Sequence, residues 1–105
     1  CATVKRYIDH HYKENLTLDE LAEKVSISKY HMAHAFKREY GVSPINYIID
    51  CRIREGKRLL AETDLAPSQI ASILGFSSSS YFCKTFSNIE GTSPTECRKA
   101  NQVKF

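Results

Sequence analysis

Residues 17 to 44 and 66 to 94 of this chain can be laid over each other with a single gap in the turn. The first copy reads TLDELAEKVSIS-KYHMAHAFKREYGVSP and the second APSQIASILGFSSSSYFCKTFSNIEGTSP. Ala22 falls on Ala71, Ser28 on Ser77, Phe36 on Phe86, Gly41 on Gly91, and Ser43-Pro44 on Ser93-Pro94. Elsewhere the apolar class is kept: Leu21 on Ile70, Val25 on Leu74, Ile27 on Phe76, Met32 on Phe82. Each copy is a short apolar-periodic segment, a tight turn, a second apolar-periodic segment, then Gly and a Ser-Pro restart. That is the layout of a helix-turn-helix, whose second helix fits a DNA major groove. Two copies in one chain point to two adjacent duplex segments read without a second subunit.

Local signals extend this to seven helices and no strand. The first is expected over about 2–14, with Val4, Tyr7, Ile8 and Tyr12 on one face. Thr17-Leu18-Asp19-Glu20 is a capping box for the second, about 18–25. Ser28 caps the third, about 29–40, and Gly41 ends it. Ser43 and Pro44 start the fourth, about 44–62, with Ile45, Ile48, Ile49, Ile53, Leu59 and Leu60 as its apolar positions. The fifth runs from Pro67 to near Gly75. Gly75 is expected in a left-handed conformation, with Ser26 as its counterpart. The sixth, about 78–90, has Ser77 or Ser78 as cap and Gly91 as stop. Ser93-Pro94-Thr95-Glu96 opens a short seventh, and the tail from 101 is expected to fray.

The fold class is therefore all-α: two helix-turn-helix subdomains joined by a long central helix. The expected bounds are 1–43 for the first lobe, 44–62 for the connecting helix and 63–105 for the second lobe. A helix of that length spans roughly 28 Å at about 1.5 Å per residue. Successive major-groove faces lie about 34 Å apart, so tilted docking or bent DNA is expected.

Composition excludes more than it assigns. The 105 residues are 42% hydrophobic, enough for one small core or two lobes. No run of about 18 apolar residues marks a membrane span. Charges interrupt the apolar stretches of the N-terminus, so it reads as an amphipathic helix and not a leader. No Met precedes it, and the chain is expected to be part of a longer protein. The net charge of +3 does not by itself indicate nucleic acid. Its distribution says more: Lys29, Lys37 and Arg38 stand against Glu39, and Arg52, Arg54, Lys57 and Arg58 against Glu55. The second copy has only Lys84 against Glu90 over 77–90. The electrostatic footprint is expected on the first copy and the central segment. Cysteines 1, 51, 83 and 97 form no CxxC pair and no zinc spacing, and read as reduced thiols of a cytosolic protein.

Ile70-Ala71, Gly75-Phe76, Ser78, Ser80-Tyr81-Phe82, Lys84, Phe86, Gly91, Ser93-Pro94 and Arg98 together resemble the signature of the AraC/XylS family of bacterial transcription regulators. The resemblance covers about residues 3 to 100. It implies a seven-helix, two-lobed DNA-binding domain, next to an effector-binding, dimerisation or receiver domain of the same protein. It also implies promoter DNA and RNA polymerase as partners and a cytoplasmic, nucleoid-associated location. Two positions depart from the pattern. Ser87 and Asn88 stand where the family has a basic residue after the sixth-helix Phe, and Cys97 where an aromatic is common. The second reading head is expected to be electrostatically weak.

On the third helix, Met32, Ala35 and Phe36, with Tyr40, form the core face. The opposite face offers Lys29, Tyr30, Ala33 and His34, which the resemblance places at base edges. Tyr30 would pack on base or sugar edges, His34 would bond a purine, and Ala33 would meet a thymine methyl. Lys37 and Arg38 would bind phosphate, as would the helix-start hydroxyls of Ser28 and Ser78. On the sixth helix the matching outward residues are Ser79, Ser80, Cys83 and Lys84. Phe82 and Phe86 repeat Met32 and Phe36 and read as core, not as a stacking platform.

Other chemistry finds little support. His31 and His34 are spaced for a shared metal but lack a third ligand, and His31 matches Tyr81 at the edge of the core. No phosphate loop, carboxylate pair or nucleophile–base set is present. The chain is read as a non-enzyme without cofactor or metal, any methyl-accepting repair chemistry lying outside it. Two rivals stay open. A protein-interaction module would be less salt-sensitive than a DNA binder, and a nonspecific DNA-binding domain would not discriminate between sequences.

Overall fold

The computed structural model describes residues 2–102, and these contain seven α-helices and no strand. They are α1 (Ala2–His11), α2 (Leu18–Glu23), α3 (Lys29–Tyr40), α4 (Pro44–Glu62), α5 (Pro67–Leu74), α6 (Ser79–Glu90) and α7 (Pro94–Gln102). Among the described residues no helix is long and apolar enough to cross a membrane. The chain divides into two compact units between Cys51 and Arg52, inside α4. Each half of the central helix thus belongs to one unit.

In the first unit, one apolar stripe from each helix meets the others. Val4, Ile8, Leu21, Ala22, Met32, Phe36, Ile48 and Cys51 form its buried cluster. Phe36 sits at the centre, with the Tyr40 ring 4.8 Å and the Tyr47 ring 5.7 Å away. Polar ties hold α1 in place. The Tyr47 hydroxyl donates to Asp9 Oδ1, and Lys5 Nζ pairs with Asp9 Oδ2 at 3.3 Å. Burial, and then the bond to Asp9, push the Tyr47 phenol above its usual range.

α1 ends at His11, three residues short of the expected end. The Glu14 amide turns back onto the His11 carbonyl at 2.9 Å, and the Glu14 carboxylate holds the His11 ring. α2 ends at Glu23 because its last turn tightens to three-residue bonds, Lys24 N to Leu21 O at 3.2 Å and Val25 N to Ala22 O at 3.1 Å.

The second unit repeats the plan with larger side chains. Ile53, Leu59, Leu60, Ile70, Ala71, Leu74, Phe76, Phe82 and Phe86 are buried. Phe82 links the aromatics, 5.2 Å from Phe76 and 5.7 Å from Phe86. Gly56, mid-helix in α4, makes this approach feasible. A Cβ there would lie 3.2 Å from Leu74 Cδ1 and 3.3 Å from Phe82 Cε1. Of the apolar positions expected on α4, Ile45 is exposed and Ile49 half-buried, so the buried stripe is narrower than the apolar pattern.

The caps explain most boundaries. Thr17, Ser28, Ser43, Ser78 and Ser93 each accept the amide three residues on, at 3.0 to 3.2 Å. At Thr17 and Ser93 the cap hydroxyl also meets the Glu carboxylate, at 3.4 and 3.2 Å. α5 lacks a side-chain cap, but Gln69 Oε1 accepts the Ala66 amide at 2.8 Å. The cap of α6 is Ser78, so the extra residue of the second copy precedes the cap and Ser78, not Ser77, matches Ser28. α7 continues through Asn101 and Gln102, with Asn101 Nδ2 donating to the Cys97 carbonyl at 2.9 Å. The fraying expected from 101 is therefore not seen at Asn101 and Gln102; residues 103–105, like Cys1, lie outside the described residues.

Both helix-turn-helix turns pass through a left-handed residue. Gly75 has φ +91° and Ser26 φ +56°. The Phe76 amide then reaches the Ala71 carbonyl at 3.0 Å and the Gly75 amide the Ser72 carbonyl at 3.2 Å, a Schellman closure. A side chain at such a φ costs about 1–2 kcal/mol, against a Gly entropy cost of about 0.5–1 kcal/mol. Urea unfolding of Gly75→Ala should therefore show a loss of about 1 kcal/mol or more, and Ser26→Gly a gain of about 0.5 kcal/mol. Equal losses for both variants would contradict this account of the turns.

Candidate nucleic-acid interface

The face that α3 offers to solvent follows from the face it buries. Met32 and Phe36 are fully buried, and Ala35 and Tyr40 half-buried. Lys29, Tyr30, His34, Lys37 and Arg38 are exposed on the remaining surface, with Ala33 half-buried among them. Tyr30 is 72% exposed, the largest value among the exposed large hydrophobic side chains. Among the described residues no hydrogen bond or ion pair ties down the side chains of His34, Lys37 or Arg38. Lys29 is tied: its Nζ lies 3.7 Å from Asp19 Oδ1 on α2 and 5.8 Å from the Tyr30 ring centroid.

The two helix starts differ in one respect. Ser28 Oγ accepts the His31 amide at 3.2 Å and also meets His31 Nδ1 at 3.1 Å. Its hydroxyl is already engaged. An anion at this end would meet the Lys29 and Tyr30 amides, which have no intrahelical acceptor. The His31 ring is thereby held at the helix start. Ser78 Oγ accepts the Tyr81 amide at 3.0 Å, its one side-chain hydrogen bond among the described residues.

On α6, Phe82 and Phe86 are fully buried. Ser80 and Lys84 are exposed, and Ser79 and Cys83 half-buried. Tyr81 is 45% exposed and packs edge-on against Phe76, with centroids 5.6 Å apart. Lys84 is the only Lys or Arg of α6, whereas α3 carries three.

The central helix corrects the expected charge map. Arg58 forks onto Glu55, with Nε and Nη2 each 2.7 Å from a carboxylate oxygen, and Nη1 reaches Glu62 at 3.4 Å. The Glu55 hydrogen bonds raise the Arg58 pKa further above its usual range. Lys57 pairs with Glu90 at 3.0 Å. Arg52 is half-buried with its guanidinium 5.5 Å from the Phe76 ring, and burial lowers its pKa. Of these four cations, Arg54 alone is exposed without such an engagement. The positive charge expected on the central segment is thus largely engaged within the second unit.

Arg98 is the residue whose role the sequence did not show. Its Nε donates to the Leu60 carbonyl at 3.0 Å, and Nη2 to the Thr63 and Leu65 carbonyls at 3.2 and 2.6 Å. It closes the C-terminus of α4 and fixes the loop that leads into α5. All three acceptors are main-chain atoms more than thirty residues away, so no side-chain pattern announces them. Among the described residues no His, Cys, Asp and Glu cluster could hold a metal ion. Cys51 is buried, and Cys83 and Cys97 are half-buried free thiols.

Two units, each of three helices and half of α4 and each presenting a capped helix with one buried and one open face, define a helix-turn-helix protein. A helix-turn-helix domain family model matches residues 21–100, and the chain belongs to the AraC/XylS family of helix-turn-helix transcription regulators. It is 36% identical over 93 residues to an Escherichia coli protein described as the HTH-type transcriptional regulator YdiP, covering 89% of this chain and 31% of that one. It is 32% identical over 100 residues to the Bacillus subtilis bifunctional transcriptional activator/DNA repair enzyme AdaA, covering 95% of this chain and 47% of that one. The chain thus spans 31% and 47% of the length of these two relatives. Among solved structures, the DNA-binding domain of the transcription factor AdpA, in complex with a target DNA, superposes with a TM-score of 0.92 at 25% identity, covering 98% of this chain and 93% of that one. The C-terminal domain of AraT, a response regulator from Geobacillus stearothermophilus, superposes with a TM-score of 0.88 at 30% identity, covering 92% and 81%.

Arg98 falls inside the matched span. Lysine in its place keeps the charge but not the fork. Arg98→Lys should lower stability to urea by about 2 kcal/mol, the cost of leaving part-buried carbonyls without this donor. An unchanged unfolding midpoint would remove Arg98 from the account of the α4–α5 junction.

Proposed function

We propose that this chain is the part of a bacterial transcription regulator that binds double-stranded DNA sequence-specifically, with α3 and α6 as its reading helices. The observation that carries the reading is the open face of α3. An aromatic, an imidazole and two cations without an ion pair among the described residues stand along a helix whose other face buries Met32 and Phe36. The AdpA domain, bound to a target DNA in its structure, lends the same reading to this fold.

Tyr30, Ala33 and His34 take the base edges in this reading, and Lys29 joins them once it leaves Asp19. Lys37 and Arg38 bind phosphate, as do the helix starts at Ser28 and Ser78. On α6, Ser79, Ser80, Cys83 and Lys84 face the second segment, with Lys84 carrying most of the attraction. The two helices would occupy successive major grooves. Most of the affinity then comes from the first lobe and from backbone contacts, and falls steeply with salt. No catalysis is assigned to this chain. In the whole protein, an effector or receiver domain would supply the signal, promoter DNA the site and RNA polymerase the output, all within the cytoplasm.

Two substitutions separate reading from holding. His34→Ala should cost about 1–3 kcal/mol on the preferred duplex and relax the preference at one position. Lys37→Ala should weaken preferred and random duplexes alike and reduce the salt slope by about one unit. Both are measured by fluorescence anisotropy across a salt series. A His34→Ala protein with unchanged affinity and preference would remove His34 from the reading face.

A further inference from the structure

We infer that the first unit holds a phosphate-binding pocket outside the reading helix, between the outer face of α1 and the end of α2. A cavity of about 330 Å³ opens there, lined by Thr3, Arg6, Tyr7, His10, His11 and Lys24. The α1 residues fall at helical spacing along one face, and Lys24 comes from the residue that closes α2.

Much of the open lining is apolar; its polar groups belong to side chains that carry donors, and no carboxylate is among them. Arg6 and Lys24 have no ion-pair partner among the described residues. Of the acids near these residues in sequence, Glu14 is bonded to the ring of His11 and Asp9 to Lys5 and Tyr47, and neither they nor Glu23 lines the cavity. Lys24 Nζ is held 4.7 Å from the Tyr7 ring centroid, and the Tyr7 and His11 rings stack at 4.2 Å with 23° between their planes. A cation over an aromatic face is oriented without using its N–H donors, so the ammonium still lacks acceptors. A guanidinium fork, an ammonium and the hydroxyl of Thr3 around one cavity suit a tetrahedral oxyanion with several acceptor oxygens. The position aligned with Lys24 in the second copy is Ile73, which is 43% exposed, so the second copy does not repeat the lysine.

The phosphate has two available sources, a free phosphate ester or the backbone of a duplex lying beyond the segment that α3 reads. Lys24 precedes the cap of α3 by four residues, which places the pocket beside the turn and favours the backbone. The test reads both. The Tyr7, His10 and His11 ring signals of the isotope-labelled chain are followed by NMR against inorganic phosphate, with chloride at equal ionic strength as control. Duplex binding is measured in parallel across a salt series, with the flanks of the duplex lengthened. Arg6→Gln and Lys24→Gln are compared with wild type in both arms, each substitution lying at an exposed position.

Saturable ring shifts with phosphate, absent in chloride and weakened at least fivefold by either substitution, support the pocket. A salt slope lowered by about one unit in either variant assigns the phosphate to the duplex backbone, with or without saturation by the free ion. An unchanged slope with saturable phosphate shifts assigns it to a free ester. Non-saturating shifts equal to those in chloride, together with an unchanged slope, overturn the inference while leaving the DNA reading intact. Saturable phosphate shifts in a chain that binds no duplex overturn the DNA reading and leave the pocket.

Discussion

Burial of two side chains per reading helix governs the rest of this structure. Met32 and Phe36 on α3, and Phe82 and Phe86 on α6, are each fully removed from water. A buried side chain of this size contributes about 1.5–3 kcal/mol. The pairs are spaced four residues apart, so together they fix the rotation of each helix about its own axis. Rotation decides which residues face outward. Tyr30, His34 and Lys37 are exposed because Met32 and Phe36 are not. The left-handed turns at Ser26 and Gly75 complete the constraint by setting how each reading helix leaves its scaffold helix.

The two units share this plan but spend charge differently. α3 carries Lys29, Lys37 and Arg38, while α6 carries Lys84 alone. On the central helix most of the charge is internal. Arg58 is held by Glu55 and Glu62, Lys57 by Glu90, and Arg52 lies on Phe76. These cations brace the second unit, and what they give to packing is withdrawn from attraction at a distance. Exposed pairs of this kind add little stability, about 0–1 kcal/mol each. The Arg98 fork is different in kind, because its acceptors are carbonyls at a helix end that would otherwise lack donors.

Much of the fold was legible because the signals are local. Ser28 and Gly41 bracket α3, and Ser43 and Pro44 open α4, as the residues themselves predict. The misses arise where a distant or non-periodic interaction decides. Tyr12 continues the apolar period of α1, yet the Glu14–His11 turn ends the helix before it. Ser77 and Ser78 are chemically equal, and only the closure at Gly75 and Phe76 makes Ser78 the cap. Gly56 looks like a weak point in a helix until Leu74 and Phe82 are seen against it. On the candidate interface, the exposed face of α3 could be read from periodicity. The pairing of Lys29 with Asp19, the double engagement of Ser28 and the neutralised cations of α4 could not, since each depends on where another element lies.

The most direct test is selection of bound duplexes from a random pool at physiological salt, followed by sequencing. With α3 as the stronger reader and α6 as the weaker, the enriched motif should contain one sharp block and a second, more degenerate block roughly 10 bp away. A bound pool with no enriched sequence would contradict base reading by the open faces of either helix.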